Sequence, residues 1–326
     1  MLVSQTPFRV SFAGGGSDLA AFYREEPGAV LSACIQRHMY VTVHERFEPN
    51  IRVSYSRTEI ADSVAQVQHS LVRECLRLTE LGAPLEVTTV ADVPAGTGLG
   101  SSSSLAVGLL NALHMQAGRP QGAALLARQA CEVEIVRLAQ PIGKQDQYAA
   151  AFGGFNFMRF HSDESVSVEP VACAAATLSA LEQHVLIVYT QLQRSASEIL
   201  ERQRASTQQK RASIRAIRDV AGELRRNLEA GFDPRDFGRC LHEAWQLKRE
   251  LVSGITNPEL DATYAAACEA GAWGGKLLGA GGGGFLMLFA PPALHAVILD
   301  KLRRPRRLPF RVEPNGSRIL FTSPCQ

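Results

Sequence analysis

The sequence predicts an α+β protein in two parts, residues 1–170 and 171–326. Three observations carry this. Strand-like and helix-like text alternates along the chain, with no internal repeat of about 20–50 residues. A polar stretch, HSDESVSVEPV from position 161, interrupts the pattern near the middle. The 326 residues, 46% hydrophobic and 20% charged, are enough for two cores.

The elements follow in order. Residues 30–43 (AVLSACI, then MYVTV) and 51–55 carry strand signals. Over 64–81, Val64, Val67, Leu71, Cys75 and Leu78 recur at helical spacing, and Gly82-Ala83-Pro84 stops the run. LEVTTVADV at 85–93 alternates as a strand. Segments 102–116 and 121–138 read as apolar-rich helices, and GGFNFMRF at 153–160 as a strand. The second part opens with the buried-strand text HVLIVYT at 184–190. A long charged helix is expected over 195–231, with Ile199, Ile214, Ile217, Val220 and Leu224 as its apolar positions. Helices at 237–252 and 258–270, a strand FLMLF at 285–289, a helix at 292–303 and a strand pair around 308–321 complete the reading.

A net charge of +2 argues against nucleic acid or an anionic membrane as partner. The basic run Arg303-Arg304-Pro305-Arg306-Arg307 reads as a solvated helix end. The first residues lack a signal-peptide pattern, and no apolar run spans a bilayer. The seven cysteines (34, 75, 131, 173, 240, 268 and 325) form no C-x-x-C pair, so neither zinc nor a disulfide framework is expected. A cytoplasmic location is the expectation. The eight histidines show no metal-ligand spacing.

Residues 94–110, PAGTGLGSSSSLAVGLL, place alternating glycines and four serines directly before a helix. A helix start carries unpaired N–H groups and positive dipole, and glycines let a ligand approach the backbone. That suits a phosphate. N-capping by serine in a flexible turn is the plainer alternative. The loop is not Walker A, because no G-K-[ST] follows. A G-x-G-x-x-G does occur as Gly279, Gly281 and Gly284, but a strand follows it where a dinucleotide site requires a helix. A serine hydrolase lacks its G-x-S-x-G elbow.

Four ordered blocks resemble the GHMP kinase superfamily: TPFRVSFAGGGSDL (6–19), PAGTGLGSSSS (94–104), PIGKQDQYAAAFGGFN (141–156) and KLLGAGGGGF (276–285). Within it, GGGSD, GKQDQYAAAFGG and LKRELVSGITNPELD are most similar to bacterial heptose 7-phosphate kinases, and fucose kinases are similar in the same places. The resemblance implies an S5-domain-2-like N-terminal domain and a ferredoxin-like C-terminal domain. It implies ATP and Mg²⁺ as cofactors and transfer to the anomeric hydroxyl of a heptose 7-phosphate, or of fucose or another free sugar. A non-catalytic ATP-binding regulator is the alternative of another class. A homodimer is compatible with the reading.

The resemblance assigns ATP to Pro94, Gly96, Gly98, Leu99, Gly100, Ser101, Ser102 and Ser103. It assigns Mg²⁺ to Ser102 and Glu134. Glu132 competes for that role but lies about 200° around a helix from Glu134, so the two do not face one metal. Asp146 matches the family's catalytic carboxylate, and a sugar hydroxyl needs such a group to orient it and take its proton. Arg9 matches a basic residue near the transferred phosphoryl group, and Lys144 is expected to stabilise charge beside it. Gly15, Gly16, Ser17 and Asp18 are assigned to the sugar. Galactokinases carry Gly-Glu-His-Thr-Asp where this chain has Gly14-Gly15-Gly16-Ser17-Asp18, which disfavours galactose. Gly281, Gly282 and Gly283 would close over the substrate. Lys248, Arg249 and Arg37 are the candidates for holding a substrate phosphate, and the sequence does not choose among them.

Overall fold

The computed structural model describes residues 1–192 and 196–322. Residue 195, where the long helix was expected to start, and Cys325 lie outside them. Strand β1 (Leu2–Ala13) is buried along most of its length and pairs antiparallel with β2 (Gly28–His44). The 17-residue β2 is the spine of the first sheet. Its C-terminal half also pairs with β5 (Leu85–Ala91) and its N-terminal half with β6 (Phe155–Phe160). Strands β3 (Ile51–Ser54) and β4 (Thr58–Ala61) extend one side, β3 lying parallel to β5. A second sheet of four antiparallel strands is built by β8 (Val185–Tyr189), β9 (Gly274–Leu277), β10 (Phe285–Phe289) and β11 (Arg307–Leu308).

Among the helices, α3 (Ser101–Gln116) is buried on most of its surface, as its small and apolar residues require. It packs directly on β1. A side chain added at Gly108 would stand 2.6 Å from Thr6 Oγ1, and Ser4 Oγ donates to Gly108 O at 2.8 Å. Ser104 Oγ donates to Pro7 O at 2.8 Å. These contacts fix the start of α3 beside Arg9. On the second sheet, α9 (Pro234–Arg249) packs so closely that a Cβ on Gly274 would stand 2.0 Å from Gly238 O.

Several elements differ from the sequence reading. The polar stretch after 161 does not interrupt the secondary structure: β7 (Val166–Pro170) pairs with β6, and α6 (Ala175–His184) leads straight into β8. The long charged helix is two helices, α7 (Ala196–Ser206) and α8 (Arg211–Ala230). The 121–138 helix is α4 (Ala123–Cys131) continued by a π-helical turn, Glu132–Arg137. The closing strands do not pair with each other. β11 joins the second sheet, whereas β12 (Arg318–Thr322) returns to pair with β1. The last residues of the expected 171–326 unit therefore belong to the first sheet. None of the six described cysteines is in a disulfide.

Candidate active site

Where the two sheets meet, a cleft of about 360 Å³ is lined by the three sequence blocks that lie before residue 160 and by the fourth, the glycine loop after β9. The two glycine loops stand back to back. A Cβ on Gly98, whose φ is +84°, would lie 2.4 Å from Leu278 O, and one on Gly284, φ +96°, 2.4 Å from Thr97 O. Only glycine permits both the left-handed backbone and this approach. Gly96, Gly98, Gly100, Ser101, Ser102 and Ser103 line the cleft. Among the described residues no side chain caps the start of α3, so its first N–H groups remain available to an anion. Pro94 and Leu99 shape the loop instead: Thr97 Oγ1 donates to Pro94 O at 2.8 Å, and Arg9 N donates to the carbonyl of buried Leu99 at 3.1 Å.

Helix α5 (Gln145–Phe152) carries Asp146 in its first turn. Its carboxylate takes two parallel bonds from Arg9, Nε to Oδ1 and Nη2 to Oδ2, both 2.7 Å. This fork fixes the plane of the carboxylate. Arg9 Nη1 donates to Gly98 O at 2.6 Å, which ties the same guanidinium to the glycine loop. Each carboxylate oxygen still has a lone pair for a substrate hydroxyl.

Glu134 lies inside the π-helical turn and is buried. It accepts from Ser102 Oγ at 2.6 Å, Ser103 Oγ at 2.7 Å and Gln147 Nε2 at 2.7 Å. All three donors are neutral, and among the described residues no cation pairs with it. Burial raises its carboxyl above the ordinary value, and the three donors only partly offset that. A buried carboxylate with neutral partners beside a serine hydroxyl is a hard-oxygen donor set that fits Mg²⁺. Glu132 points outward to Arg137, 2.6 Å from its Nη2. The π turn separates the two glutamates; such turns are frequent at functional sites.

Asp18 is buried in the cleft wall. Its oxygens accept from Gly16 N at 2.9 Å and Gln145 Nε2 at 2.9 Å, and burial raises its carboxyl. Gly15, Gly16, Gly281 and Gly283 line the cleft with it. Ser17 and Gly282 do not. Ser17 Oγ donates to Gly14 O at 2.7 Å, and Gly282 N donates to Ile255 O at 2.9 Å. Lys144 is not brought to the reacting groups. Its ammonium meets Glu164 Oε2 at 2.5 Å and lies 4.8 Å from the centre of the Tyr23 ring. A carboxylate on the β6–β7 turn draws it out of the cleft, so the expected charge-stabilising role does not fit the geometry. Of the phosphate-holding candidates, Lys248 lines the cleft. Arg249 pairs with Asp261 at 2.9 Å, and half-buried Arg37 donates to Gln36 O. Sequence reasoning missed Ser11, Gln145, Gln203 and Lys276, all of which line the cleft. One signal was available: a lysine inside the buried strand text GGKLL.

Residues 64–154 match the model of the GHMP kinases N-terminal domain, and residues 222–306 that of the GHMP kinases C-terminal domain. The chain is 31% identical to a D-glycero-alpha-D-manno-heptose 7-phosphate kinase of Campylobacter jejuni, over 92% of this chain and 93% of that protein. It is 26% identical, over 90% of its length, to a bifunctional fucokinase/GDP-fucose pyrophosphorylase of Arabidopsis thaliana, of which it spans 30%. The crystal structure of a D-glycero-D-manno-heptose 1-phosphate kinase from Bacteriodes thetaiotaomicron superposes with a TM-score of 0.82 at 28% identity, covering 99% of this chain and 100% of that one. No helix among the described residues is long and apolar enough to cross a membrane. With the helix start of α3, the Arg9–Asp146 fork and both glycine loops in one cleft, the chain belongs to the GHMP kinase family of ATP-dependent phosphotransferases that act on alcohol groups.

Proposed function

We propose that this protein transfers the γ-phosphoryl group of ATP to the anomeric hydroxyl of D-glycero-D-manno-heptose 7-phosphate, giving the 1,7-bisphosphate. The observation that carries the transfer chemistry is the Asp146 carboxylate held by Arg9 in the cleft onto which α3 opens. The choice of acceptor is supported by the 31% identity to the Campylobacter kinase.

Phosphoryl transfer asks for positioning and charge neutralisation more than covalent chemistry. The α3 amides, Ser101–Ser103 and the 96–100 loop bind and orient the triphosphate. Asp146 accepts a hydrogen bond from the anomeric hydroxyl and takes its proton as that oxygen bonds to the γ-phosphorus. The bond from the γ-phosphorus to the β,γ-bridging oxygen breaks, and ADP carries away the electron pair. Arg9 holds Asp146 in place and offers positive charge to the phosphoryl oxygens in flight. Ser102 and Glu134 would hold Mg²⁺, which when bound neutralises phosphate charge. Asp18, fixed by Gly16 and Gln145, orients sugar hydroxyls.

ATP consumption against D-glycero-D-manno-heptose 7-phosphate, fucose, galactose and mannose tests the reading. Turnover confined to the heptose phosphate is the expected result. Turnover of fucose alone replaces the acceptor, and ATP binding with no turnover in the panel removes the enzymatic reading of this site.

A further inference from the structure

Two buried lysines in the cleft have no part in the transfer just described. Lys248 lies in the last turn of α9 and Lys276 in β9. Among the described residues each ammonium makes one hydrogen bond, to a backbone carbonyl: Lys248 Nζ to Gly279 O at 2.5 Å and Lys276 Nζ to Ser11 O at 2.7 Å. An ammonium has three donors, so two on each are unused. Among the described residues neither pairs with a carboxylate. A third group stands with them. Ser11 Oγ, buried in the same wall, has no hydrogen-bond partner among the described residues.

Burial pushes Lys248 down to about 8 and Lys276 well below the ordinary lysine value. Arg9 depresses both further, and Asp18 offsets only part of this. Positive charge buried without a counter-charge is costly. If the lysines only tethered two backbone carbonyls, neutral donors would do so at less cost. The arrangement suits a dianion. Ser11 also stands two residues beyond Arg9 on β1, so the two share a face about 7 Å apart. That spacing is comparable with the reach from a sugar's reacting hydroxyl to a phosphate on its exocyclic end.

We propose that Lys248, Lys276 and Ser11 Oγ seat a phosphate monoester already carried by the acceptor, and that this seat selects phosphorylated sugars over free ones. The proposal rests on the phosphorylated-acceptor reading above. The same chemistry would also hold the phosphates of ATP, so the test must separate the two sources.

Steady-state kinetics of the full chain, Lys248→Met and Lys276→Met, with heptose 7-phosphate and ATP varied separately, make that separation. For each variant kcat/KM for heptose 7-phosphate falls about 10- to 100-fold, the loss of a charged hydrogen bond, mostly through KM. The KM for ATP changes little, and selectivity over the dephosphorylated heptose narrows by the same factor. In the unmodified protein inorganic phosphate competes with the acceptor, which gives a readout independent of whether a variant folds. Phosphate competition against ATP alone, or a KM for ATP that rises as far as that for the acceptor, overturns the phosphate seat and leaves the proposed function standing. Turnover of free sugars alone overturns both.

Discussion

Two carboxylates face the same cleft and are held in opposite ways. Asp146 is locked by a full guanidinium charge, two bonds at 2.7 Å from Arg9. Glu134 is held by two hydroxyls and an amide, with no cation in contact among the described residues. Asp146 remains about one-quarter exposed, whereas Glu134 is buried. The difference matches the two roles proposed for them. A carboxylate already paired and reachable from the cleft can orient a hydroxyl and receive its proton. A buried carboxylate with only neutral donors, its charged form disfavoured by burial, would be stabilised in that form by an incoming cation.

The largest effect that tests this contrast is at Asp146. Asp146→Asn keeps the shape and removes the proton acceptor, so kcat falls about 100- to 10,000-fold. ATP binding, read by nucleotide-dependent thermal stabilisation, persists because the α3 start and the glycine loop are untouched. Near-normal kcat in a folded Asp146→Asn protein would remove Asp146 from the mechanism.

A smaller effect separates the two glutamates of the π turn. Glu134→Gln removes the anionic oxygen from the proposed Mg²⁺ site, and the Mg²⁺ concentration for half-maximal rate rises at least about 10- to 100-fold. Glu132→Gln only loosens an exposed pair with Arg137, so its Mg²⁺ curve is unchanged and stability stays within about 0.5 kcal/mol. The reverse pattern in a Mg²⁺ titration would exchange their roles.

The parts of this contrast legible in the sequence are those set locally. Glycines at 96, 98 and 100 mark left-handed backbone, and the serines mark a helix start. Helical geometry alone turns Glu132 and Glu134 to different sides, and the π-helical turn keeps them apart. The parts that were not legible depend on distant chain. β7 is short, partly exposed and polar, so its alternation is faint. β12 is a strand only because β1 offers it an edge some 300 residues away in sequence. Lys276 and Ser11 meet because the second sheet docks on the first, and no local pattern announces that. Lys144 was misplaced for the same reason, since Glu164, 20 residues on, decides where it points.

That misplacement yields the smallest and most specific expectation. Lys144 caps the start of α5, two residues before Asp146, and its backbone N–H donates to Asp18 O at 3.3 Å. Glu164, on the turn after β6, gathers Lys144 Nζ, Tyr23 Oη and Arg24 Nε within 2.7 Å. Partial burial alone would raise its carboxyl, but these three donors together pull it from 4.5 down to about 2. A carboxyl depressed on folding stabilises the native state above its unfolded value of 4.5, and that stabilisation is lost as pH falls from 4.5 toward 2. Thermal melts of the wild type and Glu164→Gln should therefore differ most above pH 4.5 and converge toward pH 2. Because Glu164 is partly exposed, salt should shrink the gap. Glu134 has no such tether to the β6–β7 turn. Glu164→Gln is thus expected to lower kcat several-fold through the position of Asp146 while leaving the Mg²⁺ curve in place. A shifted Mg²⁺ curve, or an unchanged kcat, would show that the start of α5 holds Asp146 without help from this cluster.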